Sequence, residues 1–174
     1  MIGIILAVAL SGYTAPDGRT TAQLIAAHVL PDPSITPGVV NPAVTQSNIK
    51  STICVPGWTA TVRPPTSFTD KLRAAMTPAG HNPRDGEGDH RLPIEDGGMP
   101  GPRPLNDAVQ VALFHKTFWW EVYADRYGAR LKDVVETKIH REICSGVITL
   151  ADGQNALLDN WLLAYVKYVG PLPK

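Results

Sequence analysis

The chain has no excess of either charge: 16 Lys and Arg stand against 16 Asp and Glu in 174 residues. Such a balance excludes a long-footprint polyanion binder that relies on a global positive field. Cysteine is scarce, with only Cys54 and Cys144, and no CxxC occurs. That spacing excludes a zinc ribbon or a thioredoxin-like redox site. Two cysteines leave two readings, one disulfide closing a long loop in an oxidising compartment or two small buried thiols in a reducing one. Long apolar runs are also missing. The longest, Ile2 to Leu10, is too short for a membrane-spanning helix and fits the apolar region of a secretory signal. No internal repeat or low-complexity segment is found. Charged residues at 18% and apolar ones at 44% suit a folded chain long enough to bury a core.

What is present is unevenly placed. Residues 61–145 hold 12 of the 16 basic and 12 of the 16 acidic side chains. Polar chemistry is therefore expected in the middle of the chain, although an ordinary solvated surface has the same composition. Residues 13–43 form a proline-rich arm with one helical patch, Thr21 to Leu30, stopped by Pro31 and Pro33. Residues 44–51 suit a short helix, and Trp58 to Val62 alternates as a strand does. A helix through Met76 follows, capped by Ser67 or Thr69. Residues 77–104, rich in proline and glycine, read as loops, with a strand over His90 to Glu95. Beyond them the pattern predicts three helices. These run from Leu105 to Tyr127, from Arg130 to Cys144 with Gly146 as C-terminal cap, and from Thr149 to about Tyr168, with Thr149 and Asp152 as a capping pair.

The segment that carries chemistry is EGDHRLPIEDGGMPGPRPLNDAVQVALFHK, residues 87–116. Asp89-His90 is followed by Pro93, by Gly97-Gly98, by Asn106 and by His115 within an expected helix. An imidazole neutral near pH 7 can take a proton from water. A divalent ion held by carboxylate and imidazole can neutralise a phosphodiester and its leaving group.

This order of residues resembles the HNH, or ββα-metal, endonucleases. The resemblance implies an α+β fold, mainly helical, with a β-hairpin-plus-helix core. By it, His90 is the general base, Asp89 and His115 are metal ligands, and Asn106 fixes the loop. It implies a divalent metal, Mg²⁺ first, with Zn²⁺, Mn²⁺ or Ni²⁺ also suited to such ligands. Nucleic acid is the substrate it implies, and Arg84, Arg91 and Arg103 flank the site as candidate phosphate contacts. No obligate protein partner is implied.

More of the chain is similar to a group of exported bacterial proteins of largely unassigned function. The segments are TPGVVNP (36–42), TICVPGWT (52–59), RPP (63–65), GDHRLPIEDGG (88–98) and VETKIHREICSG (135–146). In that group the central motif reads close to E-D-H-L-I-P-L-E-L-G-G, followed by N-L-W-P. Here Gly88 replaces the first acid, and Arg91 and Asp96 replace apolar positions. Arg103-Pro104-Leu105-Asn106 stands in place of N-L-W-P. The expected organisation is a signal remnant over 1–12, an arm over 13–43 and one HNH-like domain over 44–174.

Two functions follow from this. One is metal-dependent phosphodiester hydrolysis. The other is an inactive exported binding protein that keeps the fold, and a zinc-stabilised interaction module is a weaker third. Trp119, Trp120, Trp58 and Trp161 are expected in the core rather than stacked on bases, and His140 is expected to pack near Cys144. His28 and His81 are expected at the surface.

Overall fold

A computed structural model describes residues 12–102 and 104–174. The apolar segment Ile2 to Leu10 and Arg103 lie outside the described residues. The described elements are α1 (Thr21–Ala26), α2 (Trp58–Val62), α3 (Thr66–Met76), β1 (Gly86–His90), α4 (Ala108–His115), β2 (Phe118–Val122), α5 (Ala129–Ser145) and α6 (Leu150–Tyr168). The fold is thus α+β, with helices around one two-stranded antiparallel ribbon. Among the described residues, no helix is long and apolar enough to cross a membrane.

The two C-terminal helices form the frame. Ala129, Lys132, Val135, Glu136, Ile139 and Ile143 make the buried stripe of α5, spaced as a core-facing helix requires. Gly146 ends α5 in the left-handed conformation, with φ 79°. Thr149 and Asp152 then form the expected capping box at the start of α6. In α6 the backbone breaks at Asn160, and its Oδ1 accepts from the N–H of Leu162 at 2.9 Å, re-capping the second half. Trp161, Leu157 and Leu162 of α6 are buried against Ile139 and Ile143 in one core.

The ribbon differs from the expectation. The run from Leu105 to Tyr127 is not one helix. It breaks after His115, and Phe118–Val122 pairs with Gly86–His90 in the register His90 with Phe118 and Asp89 with Trp119. All five residues of β2 are buried. An all-buried strand has no polar alternation, so periodicity alone does not separate it from a buried helix. The strand expected over His90 to Glu95 starts and ends earlier, and a 3₁₀ turn, Ile94–Asp96, follows it. Trp58–Val62 is a helix rather than a strand, entered from Gly57 at φ 81°. Helix α3 begins after Pro65 with no side-chain cap, so neither Ser67 nor Thr69 caps it.

The arm is pinned across the loop that follows β1. The N–H of Asn41 donates to the carbonyl of Gly97 at 2.8 Å, that of Met99 to Val39 at 2.9 Å, and that of Gly38 to Lys116 at 2.9 Å. Gly98 is forced by close approach, since a Cβ there would lie 1.9 Å from the carbonyl oxygen of Leu92. The Gly-Gly pair therefore serves the turn on which the arm rests. Cys54 and Cys144 are joined in a disulfide. It fastens the segment after the arm to the end of α5.

Candidate functional site

Successive side chains of a strand point to opposite faces, and this decides where each candidate residue goes. His90 faces α4. Its ring lies 5.3 Å, centre to centre, from both Phe114 and Phe118. It is only 5% exposed, and its Nε2 has no hydrogen-bond partner. Burial, together with the charges of Arg63 and Lys132, outweighs the pull of Asp89 and lowers its pKa to about 4. At neutral pH it is an uncharged imidazole in an aromatic sleeve.

Asp89 faces the other way, towards α5, where its carboxylate pairs with the ammonium of Lys132. Lys132 is 1% exposed and also pairs with Glu136, one helical turn on, while donating to the backbone carbonyl of His90 at 3.0 Å. All three ammonium donors are used. Burial works to raise the Asp89 pKa, but Lys132 prevails and holds it below the usual carboxylate range. Burial likewise works to discharge Lys132, yet its ion-pair partners Asp89 and Glu136 keep it protonated, well above the usual lysine range.

Glu121 of β2 completes this face. It pairs in register with Glu87, two residues from Asp89, so all three side chains share the α5 side of the ribbon. Glu121 is fully buried, and neither carboxyl oxygen has a hydrogen-bond partner. Burial pushes its pKa well above the usual range, and Glu136 is raised for the same reason.

The remaining candidates are dispersed. His115 is exposed at the end of α4, the helix that packs on the His90 side through Phe114. Asn106 is exposed just before Asp107, and it is Asp107 that caps α4 by accepting from the N–H groups of Val109 and Gln110. Arg84 is exposed on the turn before β1. Arg91 is 6% exposed, and its guanidinium donates to the carbonyl of Thr36 at 2.8 Å and to that of Leu158. It ties the arm to α6. Trp119, Trp120 and Trp161 are buried, as expected of core aromatics, and Trp58 is partly buried against the core. His140 packs with Nε2 3.8 Å from the Cys144 sulfur and Nδ1 2.9 Å from the carbonyl of Glu95. His28 is half-buried and meets His81 and Trp120 edge-on, while His81 is exposed.

The metal that the HNH resemblance implies does not fit the expected ligand pair. Asp89 is committed to Lys132, and His115 sits on a helix packed against the other side of the ribbon. Among the described residues, no group of three or more His, Cys, Asp or Glu side chains is arranged to hold a metal ion.

Sequence reasoning passed over Lys132, Glu136 and Glu121. The pattern did hold a sign of the first two. Lys132 and Glu136 fall on the apolar stripe of α5, where a solvated charge has no place. Glu121 lies between Trp120 and Val122, inside the run first read as helix. No protein-family model, curated protein or solved structure matches the chain.

Proposed function

We propose that this chain is an exported protein that keeps an HNH-like frame for binding and does not cleave phosphodiesters. One observation carries the reading: Lys132, itself buried, takes up the Asp89 carboxylate that an HNH site needs for its metal. Two others agree with it. His115 and Asn106 are exposed, and His115 ends the helix that packs on the His90 side of the ribbon through Phe114. His90 is enclosed by Phe114 and Phe118. The Cys54–Cys144 disulfide is compatible with an oxidising compartment, and the apolar start of the sequence suits export.

A second reading, metal-dependent hydrolysis with His90 as general base, is favoured by the neutral, unpartnered imidazole nitrogen of His90. In that reading α4 must move off His90 before substrate reaches it. Plasmid nicking with Mg²⁺, Mn²⁺, Zn²⁺ and Ni²⁺ separates the two. The binding reading expects no nicking above the metal-only blank by the parent chain or by His90→Ala. Metal-dependent nicking by the parent that disappears in His90→Ala would establish the second reading and overturn the first. Anisotropy of a labelled oligonucleotide, read at low and moderate salt, then tests whether nucleic acid is the bound partner.

A further inference from the structure

The C-terminal end of α5 brings an acid, a histidine and the disulfide together. His140 lies one turn before Cys144, and its Nε2 stands 3.8 Å from the Cys144 sulfur. Its Nδ1 lies 2.9 Å from the backbone carbonyl of Glu95 and 3.7 Å from Oδ1 of Asp96. A carbonyl can only accept, so Nδ1 carries the proton, and in the neutral ring Nε2 turns a lone pair towards the sulfur. Asp96 is fully buried with neither carboxyl oxygen hydrogen-bonded, and it pairs with the His140 ring. Asp96, with the Glu95 carbonyl, raises the His140 pKa above the usual imidazole range against the effect of burial. From the turn Ile49–Ser51, the Lys50 ammonium donates to the backbone carbonyl of Cys144. Cys54 and Cys144 are both half-buried, so the bond between them is not sealed from small molecules. Acid, imidazole and sulfur in this order are the arrangement by which a base activates a thiol. A disulfide that only closes a loop needs no base beside it.

We infer that the Cys54–Cys144 bond is a thiol–disulfide exchange site for low-molecular-weight thiols, with Cys144 as the sulfur released and His140 as the group that stabilises it. The thiolate of the incoming molecule attacks Sγ of Cys54 and forms a new sulfur–sulfur bond there. The Cys54–Cys144 bond breaks, and its electron pair goes to Sγ of Cys144, which becomes a thiolate facing Nε2–H of the His140 imidazolium. The incoming sulfur is oxidised to a mixed disulfide and Cys144 is reduced. A second thiolate then attacks the incoming sulfur, releases Cys54 and carries the first away as a small disulfide. In the reverse direction Cys144 is the attacking sulfur. The end of a helix disfavours an anion, so His140 and Lys50 have to supply the positive charge that a Cys144 thiolate needs. The exchange site makes no use of the ribbon or of Lys132, and it stands whether or not phosphodiesters are cleaved.

Alkylation and reduction of the full chain test it. In Cys54→Ala, the iodoacetamide reactivity of Cys144 is followed against pH, and its midpoint should lie at least about one unit below the ordinary thiol value of about 8.5. Cys54 in Cys144→Ala should show the ordinary midpoint. Cys54→Ala/His140→Gln should return the Cys144 midpoint to it. Equal midpoints for Cys144 and Cys54, or a low Cys144 midpoint that survives His140→Gln, overturn the inference. If loss of the disulfide unfolds the single-cysteine variants, the intact parent and His140→Gln are compared in glutathione, with each rate divided by the glutathione thiolate concentration. At pH 6 the parent should open roughly threefold faster than His140→Gln, and acid quenching should trap the first glutathione adduct on Cys54. Equal rates in the two chains, or a first adduct on Cys144, overturn it.

Discussion

Asp89 and His90 are neighbours in sequence and occupy opposite faces of the same ribbon, the carboxylate against Lys132 of α5 and the imidazole between Phe114 and Phe118. Strand alternation alone requires this. Any joint task for the two residues has to be done across the thickness of a strand. The separation also means that each side chain has its own electrostatic fate, and each can be tested alone.

For His90 the fate is burial without charge. Its pKa falls to about 4 from the usual 6.5. The unfolded chain takes up a proton below pH 6.5, and the folded chain does not until about pH 4. The stability from the neutral, buried ring is complete above pH 6.5 and is lost as pH falls through that window. A depression of this size amounts to about 3 kcal/mol. Urea midpoints between pH 7 and pH 4 should fall more steeply in the parent than in His90→Leu, which has no proton to gain. Parallel slopes would show that His90 is not the titrating group.

Glu121 should behave with the opposite sign. Its carboxyl is held above the ordinary range by burial, so it stays protonated in the fold while the unfolded chain ionises. Stability is therefore lost as pH rises above the ordinary carboxylate range. Glu121→Gln keeps the shape and cannot ionise. It is expected to match or exceed the parent at neutral pH, with the margin widening as pH is raised and closing near pH 4. A variant less stable than the parent at every pH would mean that the charged form of Glu121 is the native one.

Gly88 is fixed by packing on the His90 face. A Cβ there would lie 2.4 Å from Cζ of Phe118 and 2.5 Å from Cε1. The missing acid of the E-D-H pattern and Phe118, the partner of His90 diagonal to it across the ribbon, are thus parts of one arrangement. Gly88→Ala should cost about 1–3 kcal/mol through overpacking, read as a lower urea midpoint with an unchanged m-value. Gly88→Ala/Phe118→Leu should recover part of that loss. An unperturbed Gly88→Ala would show that Phe118 moves aside freely.

The disulfide closes a loop with a sequence separation of 90 residues. In the chain-entropy model such a closure stabilises by about 4–5 kcal/mol. Reduction, or Cys54→Ser with Cys144→Ser, should lower Tm by roughly 10–15 °C for a chain of this size. Calorimetry with and without a reductant measures it. Equal transitions in both would place the cysteines outside the stability of the fold.

The C-terminal half of the fold was legible because its signals are local. A threonine three residues before an aspartate caps α6, and a glycine ends α5. The ribbon was not, because β2 earns its state from a partner 28 to 36 residues away in the pairs His90–Phe118 and Gly86–Val122, and a run such as Phe118–Val122 has no period of its own. The candidate site suffered from the same cause. With β2 read as helix, Asp89 had His115 as its expected neighbour. With β2 paired to β1, the next helix is α5, and the neighbour is Lys132.

The covalent link from Cys54 to Cys144 has a topological consequence. The ribbon, α4 and nearly all of α5 lie inside the ring it closes. Residues 104–106, exposed and just before α4, lie inside it too. A single protease cut there leaves one molecule of unchanged mass but for an added water, its two pieces still joined. A chain nicked between residues 104 and 106 therefore keeps Asp89 and Lys132 on the same molecule.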